Sequence, residues 1–185
     1  RLLRRASQLP VDPAGLAYLP NEQSAYIRVD GSAAAIAEKL TVLRAEFSGQ
    51  DCATLGDENT MALFRDLSNA AEFAHGSGDV WRLCVSPADA PAAIDAIGVV
   101  DWYADGAGGL LWLGLPANED AATRLRSITA RFGGHATLMR GSAGARKTLD
   151  VFEPETPVRA ALTKSVKAAF DQKRVLNPGR MYKDI

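Results

Sequence analysis

Val175-Leu176-Asn177-Pro178-Gly179-Arg180-Met181-Tyr182 is the stretch whose residue types most clearly prescribe a geometry. Pro followed by Gly suits the two central positions of a type II turn, with Asn177 as its first residue. Such a turn gathers backbone N–H groups and the Arg180 charge at one place, the chemistry for meeting a polar or anionic group. A turn that merely stops a preceding helix has the same sequence. Arg82 is the second candidate. In the run Asp79 to Val85, alternation puts Trp81, Leu83 and Val85 on one face of a strand and Val80, Arg82 and Cys84 on the other. A guanidinium in mid-strand needs an acidic partner or an anion to offset its desolvation. An internal ion pair, a side chain snorkelling at the sheet edge, or a bound ligand each meets that need.

The remaining candidates are weaker. His75 and His135 are the two histidines, and neither has a carboxylate or cysteine at metal-ligand spacing. His75 falls in a loop; His135 opens a strand, where it serves structure or reaches a partner surface. Two histidines support no catalytic triad, and metal hydrolysis is not indicated. Gly106-Ala107-Gly108-Gly109 lacks the strand-before, helix-after context of a phosphate loop, because a strand follows it; a hairpin turn is the better reading. Cys52 and Cys84 show no CxxC pairing and read as buried small residues in strands.

Alternating strands and helices must position these groups. Leu9 to Asn21 carries three prolines and a glycine and reads as an extended connector after a short amphipathic helix at Arg1-Leu2-Leu3-Arg4-Arg5. Ser24 to Val29 is a strand ending at Asp30-Gly31. Ser32 caps a helix with Ile36, Leu40, Leu43 and Phe47 on one face. Ala53 to Leu55 reads as a short strand, Glu58 to Leu67 as a helix, and Asn69 to Gly78 as a loop. From there the order is regular: strand Asp79 to Val85; a helix to Ile97 capped by Ser86-Pro87-Ala88-Asp89; strand Val99 to Tyr103; strand Leu110 to Leu115; a helix capped by Asn118 and ended by Gly133-Gly134; strand His135 to Arg140. That β-α-β-β-α-β order predicts an α+β fold: a ferredoxin-like antiparallel sheet with both helices on one face and the other face free. The β-α-β unit at Ser24 to Leu55 widens the sheet or forms an incomplete second copy. A closing helix has Thr156 as cap, Pro157 in its first turn, and Val158, Leu162, Val166, Ala169 and Phe170 on one face.

Composition bounds the function. The chain has 185 residues, 47% apolar and 23% charged, with net charge −1, an ordinary globular balance. Nothing in it predicts attraction to nucleic acid, and no apolar run is long enough to span a bilayer. The first residue is Arg1 rather than Met, as in a piece of a longer protein.

Phe170-Asp171, a short gap, and Leu176-Asn177-Pro178-Gly179-Arg180 together resemble the ending of FAD-linked oxidases of the vanillyl-alcohol oxidase type. Gln172 stands where that family has proline and Arg174 where it has glycine; Phe170-Asp171 closes the helix, and the loss of two helix breakers predicts that it runs further than in relatives. Val80-Trp81-Arg82-Leu83, Asp101-Trp102, Leu111-Trp112-Leu113 and Gly133-Gly134-His135-Ala136-Thr137-Leu138 are similar to the glycolate oxidase E-subunit family, over most of the chain from Ser24 onward. The resemblance implies that residues 1–185 are one C-terminal cap domain, with a connector at 1–21 and a tail at 171–185. FAD would be bound mainly by an N-terminal domain outside this sequence. It also implies that Asn177, Gly179 and Arg180 contact that FAD domain, and that Arg82 and His135 face substrate or flavin. The partners would be a 2-hydroxy acid such as glycolate and other glycolate oxidase subunits. The location would be cytoplasmic, with membrane association only peripheral and through those subunits. The competing expectation is a non-catalytic ferredoxin-like module that docks or regulates partners through its open sheet face.

Overall fold

The structure, a computed structural model, describes residues 1–76, 78–98, 101–142 and 144–182. Its strands are β1 (Gly15–Leu19), β2 (Ser24–Arg28), β3 (Asp79–Cys84), β4 (Asp101–Asp105), β5 (Leu110–Leu115) and β6 (His135–Arg140). They form one six-stranded antiparallel sheet in the order β2-β1-β4-β5-β3-β6. The helices are α1 (Leu2–Ser7), α2 (Ala33–Glu46), α3 (Asp57–Ser68), α4 (Ala90–Ile97), α5 (Glu119–Arg131), the short α6 (Ala145–Thr148) and α7 (Pro157–Phe170). Within this set, β3-α4-β4-β5-α5-β6 is the expected ferredoxin-like unit.

Local signals act where the sequence places them. The Ser32 hydroxyl accepts from the Ala35 N–H, the Asn118 side chain from Asp120 and the Thr156 hydroxyl from Arg159, so each helix start has an orphan donor satisfied. Helix α4 starts later than Ser86 suggests. Ser86 to Asp89 make a lead-in turn, and Pro91 takes the first helical turn, where its missing N–H costs nothing. The Gly106–Gly108 segment is a tight turn between paired β4 and β5, a hairpin rather than an anion loop. Val99 and Val100, expected in β4, lie outside the described residues.

The sheet separates two apolar layers. One holds Trp81, Leu83, Leu111, Leu113, Ala136 and Leu138 against α1, α2, α4 and α5. The other holds Ala17, Val80, Tyr103 and Trp112 against Leu67, Ala70 and Phe73. The second face is therefore not free, as expected, but partly covered by α3 and the turn Ala71–Phe73. Phe64 of α3 lies so close to Gly15 that a Cβ there would meet its ring at 2.5 Å, and the Tyr103 hydroxyl donates to the Leu67 carbonyl at 2.5 Å.

Three other expectations need correction. The connector at 9–21 contains β1, bonded to β2 on one side and β4 on the other. Its prolines, Pro10, Pro13 and Pro20, flank the strand without interrupting it, and Gln23 closes the hairpin at φ 52°. That hairpin makes the β-α-β unit at Ser24 to Leu55 unnecessary: closing a short turn costs less chain entropy than returning a strand after α2. Accordingly Ala53 to Leu55 has no regular structure, and Cys52 is exposed rather than buried; Cys84 is half-buried in β3. Helix α7 closes at Phe170-Asp171 as expected. Asp171 stops it by accepting from Val175 and Leu176 N–H groups and from Lys167 at 2.8 Å, and Arg174 takes φ 51°, the conformation a glycine would adopt there.

Helix α7 has no buried residue. Val158, Leu162, Val166 and Phe170 do line one face as expected, but that face is 50–86% exposed. A 14-residue helix with an unburied apolar stripe draws little stability from packing.

Candidate functional site

Cross-strand register builds the site. Tyr103, Trp112, Arg82 and Thr137 stand opposite one another across β4, β5, β3 and β6. The next row on the same face is Asp105, Leu110, Cys84 and His135. Thus Arg82 and His135, separated in sequence, share a face as diagonal neighbours on adjacent strands, a spacing of about 7–8 Å between backbones. Helix α3 covers the Tyr103 end of these rows and leaves His135 exposed and Arg82 half-buried.

An aromatic ladder runs under Arg82. Phe73, Tyr103 and Trp112 stack in turn, with centroids 5.7 and 5.9 Å apart, and the Arg82 guanidinium lies 5.8 Å from the Trp112 ring. Its charge rests on the negative face of the indole. No carboxylate pairs with Arg82 among the described residues, and it makes no hydrogen bond there. The internal ion pair weighed from the sequence does not form among the described residues, where the ring is the partner the charge has. Burial raises the pKa of the Tyr103 phenol, and the charges of Asp105 and Glu72 add to the shift.

Two residues that the sequence did not single out as site candidates join this face. Trp112 is 7% exposed and its Nε1 is buried with no acceptor among the described residues; alternation along β5 gives its face with Leu110, and pairing with β3 sets it beside Arg82. Arg140 was not legible that way. Simple alternation sends it to the α4–α5 face with Ala136 and Leu138, but a bulge at Met139 shifts the register so that Arg140 stands opposite Val80. There one guanidinium nitrogen donates to the Asn69 carbonyl at 3.4 Å, while Nη1 is buried without a partner.

The Asn177–Arg180 turn forms as expected: the Arg180 N–H donates to the Asn177 carbonyl at 3.2 Å and Gly179 has φ 67°. No hydrogen bond, ion pair or ring contact joins it to Arg82 or His135 among the described residues. The Arg180 side chain projects from an exposed tail and makes no ion pair among the described residues. Tyr182 ties the tail to Glu153, whose carboxylate accepts from the Ala136 N–H on the outer edge of β6. His75 is in an exposed turn. A cleft beside Tyr103 is lined by Leu19, Leu63 and the carboxylates of Glu22, Asp66 and Glu72. Burial raises the Glu72 pKa there, opposed by the Asn21 amide; its acidic rim repels anions and has no part in an anion site.

No group of metal-ligating side chains occurs among the described residues, and no helix among them is long and apolar enough to cross a membrane. No protein-family model matches the chain, and no curated protein matches it.

Proposed function

We propose that the chain is the substrate-side cap of a flavin-dependent 2-hydroxy-acid oxidoreductase, similar to the FAD-binding E subunit of glycolate oxidase, and that the Arg82–His135 face turns toward flavin and substrate. The observation that carries the reading is Arg82 itself: a half-buried guanidinium on an aromatic platform with no carboxylate partner among the described residues. A 2-hydroxy acid brings a carboxylate, which offsets the desolvation of that charge. His135, diagonal to Arg82, would hydrogen-bond the substrate hydroxyl. FAD, held mainly by a domain N-terminal to this sequence, would accept the hydride; the residues of this chain bind and orient the acid. The unpaired donors on this face fit a partner that presents acceptors, whether substrate carboxylate or flavin carbonyl. Asn177, Gly179 and Arg180 would meet the FAD domain, and other glycolate oxidase subunits would receive the electrons.

The test is the whole open reading frame that contains these residues, expressed with its flavin. Arg82→Met should lower glycolate kcat/KM at least about tenfold, the effect of losing one charged hydrogen bond. Unchanged kinetics would remove Arg82 from the site and with it the support for this reading. Calorimetric titration of the present chain with FAD should show no binding; tight stoichiometric binding would place the cofactor site within these residues.

The exposed stripe on α7 favours a second reading, a non-catalytic module that docks a partner. Glycolate turnover in the whole protein separates the two.

A further inference from the structure

We infer that Arg140 and the Trp112 indole N–H complete, together with Arg82, a subsite for the carboxylate of a small organic acid. The inference deepens the 2-hydroxy-acid reading and rests on it for the class of ligand.

Three donor groups on one sheet face share a single deficiency. The Trp112 Nε1–H and Arg140 Nη1 are buried without an acceptor, and Arg82 has neither ion pair nor hydrogen bond among the described residues. Buried donors are normally satisfied, and each orphan has a desolvation cost. Among the described residues, three donors on one face thus lack an acceptor. Arg82 stands directly opposite Trp112 on β5 and Thr137 on β6, and the bulge places Arg140 opposite Val80, two positions along β3 from Arg82. The two arginines therefore stand on one stretch of the β3–β6 ladder, with Trp112 opposite Arg82 on the other side of β3.

The chemistry selects the ligand. A planar oxyanion takes two parallel N–H donors from a guanidinium and a further donor from an indole. Tyr103, itself stacked on Phe73, holds the indole by stacking, which suits a small planar carboxylate lying against the ladder. The bulge at Met139 has a role in this account: without it, Arg140 would point into the α4–α5 layer. Cationic ligands are excluded by the two arginines. The acidic cleft by Glu22 and Glu72 lies at the far, Tyr103 end of the ladder.

The test uses the 185-residue chain and glycolate as the probe, with acetate and inorganic phosphate as comparison anions. Heteronuclear NMR follows the Trp112 indole N–H and the arginine side-chain N–H resonances through each titration. Saturable shifts of the indole resonance by glycolate are expected. Arg140→Lys, which keeps the charge but not the fork, should weaken the apparent affinity about tenfold. Trp112→Phe, which keeps the stack and removes only the N–H, should weaken it several-fold, while amide dispersion shows the sheet intact. No indole shift with glycolate, or an affinity unaltered in both variants, overturns the subsite. An equal or stronger response to phosphate overturns the assignment to a carboxylate. Binding that depends on Arg82 but not on Arg140 or Trp112 overturns the subsite and leaves the hydroxy-acid reading standing. That reading is decided separately, by turnover of the flavin-loaded whole protein.

Discussion

Replacing Gly134 with alanine should destabilise the β3–β6 ladder at the point where His135 enters it. A Cβ at Gly134 would lie 2.3 Å from the Cys84 carbonyl oxygen, 2.7 Å from Val85 Cγ1 and 3.0 Å from Thr129 Cγ2. Carbon and carbonyl oxygen rest at about 3.3 Å, so the first contact is short by roughly 1 Å, and it is with backbone, which no rotamer change relieves. Either β3 and β6 separate at the Cys84–His135 pair or α5 shifts away from the sheet. Overpacking of this kind costs about 1–3 kcal/mol, and at about 2–4 °C per kcal/mol for a chain of this length the melting point should fall by roughly 2–12 °C. Neighbouring Gly133 is the control. Its φ is +64° with open space around its Cβ position, so Gly133→Ala pays only for the left-handed backbone, and Gly133→Asn recovers part of that loss because asparagine tolerates the conformation. At Gly134, Asn should be worse than Ala. Thermal unfolding gives the ranking, and hydrogen exchange at the paired Cys84 and His135 amides locates the damage. A Gly134→Ala protein that melts within a degree of the parent, or that is improved by Asn, would refute the close-approach reasoning.

Tyr103→Phe removes the hydroxyl that binds the Leu67 carbonyl. Because Leu67 also accepts from the Ala70 N–H, the loss should be about 0.5–1.5 kcal/mol by urea unfolding, with faster hydrogen exchange at the C-terminal end of α3. The Lys167 ammonium and the Val175 and Leu176 N–H groups hold the Asp171 pKa down at about 2. A depressed carboxyl stabilises the ionised, folded form, so its contribution is complete above the ordinary carboxylate value and disappears as pH falls from about 4 to 2. NMR titration of the Val175 and Leu176 amides should follow that low midpoint, and Asp171→Asn should abolish it. Leu162→Ser and Phe170→Ser remove side chains that are 65% and 86% exposed, so unfolding should change by less than about 0.5 kcal/mol. A larger loss would show that α7 packs on the sheet, and sedimentation should show any self-association of the parent chain reduced.

Features encoded within a few neighbouring residues were legible from the chain alone. The order β-α-β-β-α-β, the caps at Ser32, Asn118 and Thr156, the hairpin at Gly106–Gly109 and the type II turn at Asn177–Arg180 all follow from period, capping chemistry and turn residues. So does the opposition of Arg82 to Trp81 and Leu83, because strand alternation is a property of the backbone itself. Tertiary structure decided which strands pair and what covers them. β1 enters the sheet because β2 and β4 supply its hydrogen bonds, not because of its own composition, and Ala53 to Leu55 stays irregular because the β1–β2 hairpin forms instead. Helix α3 lies on the face expected to be open because Leu67 and Phe73 find Tyr103, Trp112 and Val80 there. The site divides in the same way. Alternation put Arg82 on its face, but only register set His135 on that face beside it, only the bulge turned Arg140 toward them, and only packing left Trp112 without an acceptor. Donor satisfaction and burial depend on every element that surrounds a residue, and no local pattern carries that information.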